Sequence, residues 1–224
     1  MELLLDDANV EAVKKLNAFY PLDGVTTNPS ILAKSGRAPF AVLKEIRSII
    51  GPEAQLHVQA VAKSADGMAA DAHRITKELP GNTFVKIPAV PEGFKAMQQL
   101  KAEGIRTTAT AIYTPMQGFL AAKCGASYAA PYINRIDNMG YDGVAVARTI
   151  QDIFQKNGLE TKLLAASFKN SQQVLELCKY GVGAATVAPD ILMGFVKNAA
   201  IDAAIEVFAD DFQNLTGKEA MSQL

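Results

Sequence analysis

Thr83-Phe84-Val85-Lys86-Ile87-Pro88-Ala89 reads as a short, buried strand with a lysine in it. Phe84, Val85 and Ile87 are aromatic or β-branched, and Gly81-Asn82 ahead of them is a turn signal. Pro88 brings no N–H to a ladder, so the strand is expected to stop there. A run this apolar needs cover on both faces, the setting of a parallel sheet flanked by helices. A buried ammonium is costly, so Lys86 either snorkels to the strand end or loses its proton. In the second case it is an amine nucleophile towards carbonyls near neutral pH.

Outward from this stretch the same alternation repeats. Strands are expected over residues 3–5, 24–26, 55–59, 83–87, 106–110, 128–131, 162–167 and 184–187. Helical spacing fills the intervals. It covers residues 9–19, a turn from Pro29 with Asn28 as its cap, and then 40–50, 64–79, 92–103, 114–123, 144–155 and 171–179. A last pair of helices runs from Pro189 to about Phe212. Eight strands alternating with helices predict an α/β fold, a single (β/α)8 TIM barrel with an additional C-terminal helix. A doubly wound open sheet is the alternative. No glycine-rich dinucleotide fingerprint follows the first strand, which favours the barrel. The whole chain, residues 1–224, is expected to form one domain, with no linker between two.

Composition narrows the partners. Of 224 residues 49% are apolar, enough for a large core, and the formal net charge is -1 with no long basic run. Nucleic acid and anionic membranes are therefore not expected as partners. No apolar stretch is long enough to span a bilayer. The first residues, Met1 to Asp7, lack a basic n-region and do not read as a signal peptide, so a cytoplasmic location is expected. Cys124 and Cys178 lie far apart in helical patterns and read as reduced, packed thiols. With two histidines and no ligand spacing, neither a metal site nor a cofactor is expected.

In a barrel the catalytic groups sit at the C-terminal strand ends, on inward-pointing positions. The inward candidates at those ends are Asp6, Thr26 and Asn28, Gln59, Lys86, Thr110, Tyr132 and Ser167. Each hydrogen-bonds or ionises at the end of an otherwise apolar or small-residue run. Lys86 can attack a ketone to form an iminium, an electron sink for carbon–carbon cleavage. Tyr132 is the best-placed acid/base, with Gln59 and Thr110 able to hold a water for it. Asp6 and Asn28 suit substrate hydroxyls, and Arg135 suits a phosphate. Ser167 and backbone N–H groups near Lys169 would complete a phosphate cup.

Several of these residues also have plainer readings. Asp6 can be only the cap of the first helix. His57 reads as a satisfied core histidine below the site, and Tyr113 and Tyr128 as packing. Asp210-Asp211 form a solvated helix end, and Arg37 and Arg148 belong to the surface.

The segments Gly24-Val-Thr-Thr-Asn-Pro-Ser30, Val85-Lys-Ile-Pro88, Lys101-Ala-Glu-Gly-Ile105, Ala130-Pro-Tyr-Ile-Asn-Arg-Ile-Asp137 and Leu164-Ala-Ala-Ser-Phe-Lys169 span essentially the whole chain. Together they resemble the small transaldolase family and, more narrowly, its fructose-6-phosphate aldolase branch. The resemblance implies a class I aldolase with Lys86 as the Schiff-base residue. It also implies pentamers pairing as decamers, with residues from about 198 to 224 packing on a neighbouring subunit. Transaldolases of the family typically carry Glu at the position of Gln59 and Phe at that of Tyr132, whereas the aldolase branch carries Gln and Tyr. Thr108-Ala-Thr-Ala-Ile-Tyr113 and Val187-Ala-Pro-Asp190 depart in detail from the family pattern.

Three readings follow. The first is an aldolase cleaving fructose 6-phosphate to dihydroxyacetone and glyceraldehyde 3-phosphate. The second is a transaldolase handing the three-carbon unit to an aldose phosphate. The third is a non-catalytic sugar-phosphate-binding barrel that keeps Arg135 and Ser167 as contacts.

Overall fold

The computed structural model describes residues 1–224. Eight parallel strands close into a barrel in sequence order, β1 to β8, with β1 pairing β8. The order of elements is β1 (Glu2–Asp6), α1 (Val10–Phe19), β2 (Gly24–Thr26), α2 (Pro29–Ala33), α3 (Pro39–Ile50), β3 (Gln55–Gln59), α4 (Ala65–Glu78) and β4 (Thr83–Pro88). Then come α5 (Pro91–Ala102), β5 (Thr107–Ile112), α6 (Pro115–Lys123), β6 (Tyr128–Pro131), α7 (Ile133–Asp137), α8 (Gly143–Lys156), β7 (Lys162–Ala165), α9 (Ser171–Tyr180) and β8 (Ala184–Val187). The chain ends with α10 (Pro189–Gly194), α11 (Ala199–Thr216) and one 3₁₀ turn (Met221–Gln223).

Local chemistry explains most boundaries. Asn9, Asn28, Ser64, Asp142 and Asn170 each accept a backbone N–H in the first turn of the helix that follows. Thr114 and Gln117 form a full capping box at α6. Gly181, left-handed at φ 85°, closes α9.

Two separate apolar layers result. Leu5, Val25, Leu56, Val58, Val85 and Ile87 point outward and pack under the helices. Leu4, Phe84, Tyr128, Ala130, Leu164 and Ala184 fill the barrel interior. The alternation of strand residues between two buried environments is why these strands lack a polar face.

The structure corrects some expected bounds. β4 includes Pro88, which pairs with Thr110. The proline sits at the last position, and the next donor is Ala89 N–H, which bonds Thr110 O at 2.8 Å. β5 runs on to Ile112 instead of ending at Thr110. Its register shifts between Ala109 and Ile112, where Ala111 takes φ 56°. β7 ends at Ala165 rather than Ser167, leaving a lone bridge between Tyr132 and Ala166. The segment after β6, expected as loop, contains the one-turn helix α7. Cys124 and Cys178 form no disulfide, and Cys178 is exposed on α9 rather than packed.

By contact density the chain divides into two compact units, Met1–Leu192 and Met193–Leu224. The second is dominated by α11, capped by Asn198 and Gly217. Ile201, Ile205, Phe208 and Leu215 recur along it at helical spacing, and all four are exposed.

Candidate active site

The inward residues of the upper strand ends form one small cavity. Its walls include Asp6, Thr26, Asn28, Lys86, Tyr132, Arg135 and Ser167, from β1, β2, β4 and the segments after β6 and β7. Thr110 sits behind Tyr132, with their hydroxyls 2.6 Å apart. Gln59 pairs in register with Lys86 across β3 and β4. Its surface lines the neighbouring groove with Pro29 and Val61 and not this cavity, and its side chain makes no hydrogen bond to Tyr132 or Thr110.

Lys86 does not snorkel out. Only 6% of it is exposed, and Nζ donates to the Thr27 carbonyl at 2.8 Å. That leaves donors on Nζ without a protein acceptor. Burial is the largest influence on the amine and pulls its pKa below the ordinary lysine range. Asp6 opposes that pull, while the Arg135 charge adds to it. Asp6 shifts the other way: burial raises its carboxyl, against the Lys86 charge and the Thr26 hydrogen bond. Burial works against charge on both groups, while each group's charge favours charge on the other. The fraction of Lys86 present as the free amine is the form that can attack a carbonyl.

Asp6 takes no part in capping the first helix. Asn9 caps it, and Asp7 accepts from the Ala8 and Asn9 N–H groups. Asp6 is instead the end of a hydroxyl chain. Thr26 Oγ1 donates to it at 2.7 Å, and Thr186 stands 2.6 Å from Thr26. Thr186, on β8, is a site residue that the sequence reading missed. Its signal was present: it is the lone polar residue in Ala184-Ala-Thr-Val187, at an inward position. Asn28 serves twice, since Oδ1 caps α2 while the residue also lines the cavity.

Arg135 rides on α7 with its guanidinium 4.6 Å from the centre of the Tyr132 ring. Tyr113 packs edge-on against the same ring, centroids 5.6 Å apart. The phenol is thereby clamped between a cation, an aromatic and Thr110. Ser167 has φ 61°, a left-handed conformation that costs a non-glycine residue about 1–2 kcal/mol. Its carbonyl accepts from Asn134 N–H at 2.7 Å, tying the end of β7 to the helix that bears Arg135. The Lys169 N–H, expected in a phosphate cup, is already committed to Gln173 Oε1 at 2.7 Å.

His57 lies below this layer, fully buried, and both ring nitrogens are partnered: Nδ1 with Thr108 Oγ1 at 2.8 Å and Nε2 with Gln55 Oε1 at 3.0 Å. It stacks on Phe84 at 4.7 Å. Tyr128 packs edge-on against it and donates its hydroxyl to Glu2 at 2.6 Å. Both residues are the core groups that the sequence implied. Arg37 pairs with Glu45, and Arg148 with Glu176, away from the cavity.

A family model described as Transaldolase/Fructose-6-phosphate aldolase matches residues 3–223. Among solved structures, the chain is similar to a thiamine phosphate pyrophosphorylase from Pyrococcus furiosus. The identity is 16%, with 84% of this chain and 85% of that one covered and a TM-score of 0.58. It is also similar to a mandelate oxidase mutant with the monooxide FMN adduct. There the identity is 10%, with 84% of this chain and 63% of that one covered and a TM-score of 0.57. At these identities the two structures share the barrel and nothing more specific.

Proposed function

Because the chain belongs to the transaldolase/fructose-6-phosphate aldolase family, whose substrates are sugar phosphates, we propose that it is a Schiff-base aldolase. It cleaves fructose 6-phosphate reversibly to dihydroxyacetone and glyceraldehyde 3-phosphate. The observation that carries the reading is the buried Lys86 amine, lowered in pKa and facing Asp6 and Tyr132 across one cavity.

In the proposed sequence Lys86 Nζ attacks C2 of the open-chain ketose, and loss of water gives an iminium. A base takes the proton of the C4 hydroxyl, and the C3–C4 bond breaks. Its electrons pass into the iminium, leaving an enamine on Lys86 and releasing glyceraldehyde 3-phosphate. Protonation of the enamine on carbon and hydrolysis by water then free dihydroxyacetone and the amine. Tyr132 is the proton carrier beside Lys86, oriented by Thr110. Asp6, Thr26 and Asn28 hold substrate hydroxyls, while Arg135 and Ser167 take the phosphate.

The family covers transaldolases as well. The phenol at Tyr132 favours cleavage, because free dihydroxyacetone leaves only if the enamine is protonated and hydrolysed. An assay with fructose 6-phosphate, with and without erythrose 4-phosphate as acceptor, separates the two. Cleavage without an acceptor supports the aldolase; turnover only with it supports the transaldolase. Borohydride reduction with dihydroxyacetone, read by intact mass, tests the enzyme against a sugar-phosphate-binding barrel, which would trap nothing. The same proposal includes assembly into pentamers or decamers through the apolar face of α11. A light-scattering mass of a monomer at micromolar concentration would count against it.

A further inference from the structure

The end of the barrel opposite Lys86 has a cavity of its own, about 600 Å³ in volume. That is within the usual size of small-molecule sites. Its charged lining is Lys101, Arg106, Lys123 and Lys162 against a single acid, Glu160. Lys162 is neutralised by Glu2 at 2.7 Å. Lys101, Arg106 and Lys123 form no ion pair. In a chain of net charge -1, three unpaired cations converging on one cavity are a local imbalance.

Helix dipoles explain part of it. α5 and α6 end at this face, and a lysine in each last turn answers the partial negative charge there. They do not explain Arg106, which precedes β5. Its guanidinium lies 4.6 Å from the centre of the Phe84 ring and donates to Asn82 Oδ1 at 2.7 Å. Nor do they explain the course of the Lys101 stem, which crosses Gly125 so closely that a Cβ there would come within 2.0 Å of Cδ. The Phe84 and Asn82 contacts place the Arg106 guanidinium before any ligand arrives, which lowers the ordering cost of its contact.

We propose that this cavity binds a small phosphate-bearing molecule, a phosphomonoester or a diphosphate, between Lys101, Arg106 and Lys123. A multiply charged oxyanion has the charge and the acceptor oxygens to answer three cations, which a monocarboxylate lacks. This site is independent of the aldolase reading.

Calorimetric titration with inorganic diphosphate tests it, using Arg135→Ala protein so that the cation at the other mouth is gone. One saturable site is expected. It should weaken at least about tenfold when Lys101→Gln and Lys123→Gln are added, since each charge-assisted contact is worth that much or more. Lys101→Arg, which keeps the charge, should retain most of the affinity. Inorganic phosphate and glycerol phosphate titrated in parallel tell whether the free ion or its ester is preferred. Absence of saturable binding at roughly millimolar diphosphate, or equal binding to the Lys→Gln protein, overturns the proposal.

Discussion

The upper and lower halves of the barrel interior use similar residues to opposite ends. The lower half holds Glu2, Gln55, His57, Thr108 and Tyr128, and every polar side-chain atom there is partnered. Glu2 accepts from Lys162, Tyr128 and Gln55. Because Gln55 gives its NH₂ to Glu2, its carbonyl faces His57 and accepts the Nε2 proton. Nδ1 must then accept from Thr108, so the chain of bonds has one direction and the imidazole one tautomer. The upper half holds Asp6, Thr26, Lys86, Tyr132 and Thr186, and there capacity is left over. Lys86 Nζ has one protein partner for its donors, and Tyr132 has Thr110 alone. Saturated polar networks rigidify; unsaturated ones at a cavity are available to a substrate. The difference separates scaffold from chemistry within one barrel, and substitutions in each half can test it.

The largest effect belongs to Lys86. Lys86→Arg keeps a cation in place, but guanidinium stays protonated and is no nucleophile. The protein should fold, lose cleavage activity to background, and no longer trap dihydroxyacetone on reduction. In the parent, activity should rise as pH climbs through the lowered pKa of the amine, because the deprotonated form attacks. Substantial cleavage by pure Lys86→Arg protein would erase the distinction between the two halves.

Tyr132→Phe comes next. It removes the phenol while leaving Lys86 able to form its adduct. General acid/base assistance typically contributes about 10²–10⁴-fold, and cleavage of fructose 6-phosphate should fall by that range. Transfer to an aldose acceptor bypasses enamine protonation and should suffer less, so the ratio of transfer to cleavage rises. Adding Gln59→Glu should raise it further. A Tyr132→Phe protein that cleaves at the parent rate would remove the argument for aldolase over transaldolase.

Arg135→Ala sharpens the picture at the rim of the cavity. Loss of a charge-assisted contact is worth about 1.5–3 kcal/mol, or roughly 10- to 150-fold in affinity. The loss should fall on phosphorylated acceptors and spare plain aldehydes. Equal losses on both would make Arg135 a support for the Tyr132 ring, against which it lies.

How much of this was legible in the sequence follows from the range of each interaction. Strands and helices are written in local periodicity and caps, and eight alternations leave few topologies. The upper ring was legible because a strict two-residue alternation sends Lys86, Thr110 and Tyr132 inward. Two local breaks were not. The left-handed residues Ala111 and Ser167 are ordinary in type, and nothing in their neighbours announces a positive φ. The helix α7 is a single turn without a side-chain cap, held by Ile133 and Asn134 bonding back to Ala166 and Ser167. Those bonds are long-range, so Arg135 could be named from its residue type but not placed. Thr186 was lost because β8 is mostly alanine, and small residues dilute the polar contrast.

The smallest effect belongs to the lower half, and it concerns stability rather than chemistry. Burial, followed by the charges of Lys86 and Arg106, holds His57 well below the ordinary imidazole range. The unfolded chain regains an imidazole of pKa ~6.5. Below that value the unfolded state takes up a proton that the folded state refuses, so stability from this group is full above it and drains away as pH falls. The slope approaches about 1.4 kcal/mol per pH unit until the lowered folded pKa is reached. His57→Gln removes the titration. It also interrupts the bonds between Gln55 and Thr108, so the variant should be less stable than the parent at pH ~7.5, by about 1–3 kcal/mol for buried groups left unpaired. The gap should then narrow as urea unfolding is repeated at lower pH, because only the parent carries the penalty. Borohydride trapping of dihydroxyacetone should persist in the folded variant, since His57 faces no part of the upper cavity. A gap that stays constant with pH would mean that the folded protein admits a proton at His57. The lower half would then be no more saturated than the upper.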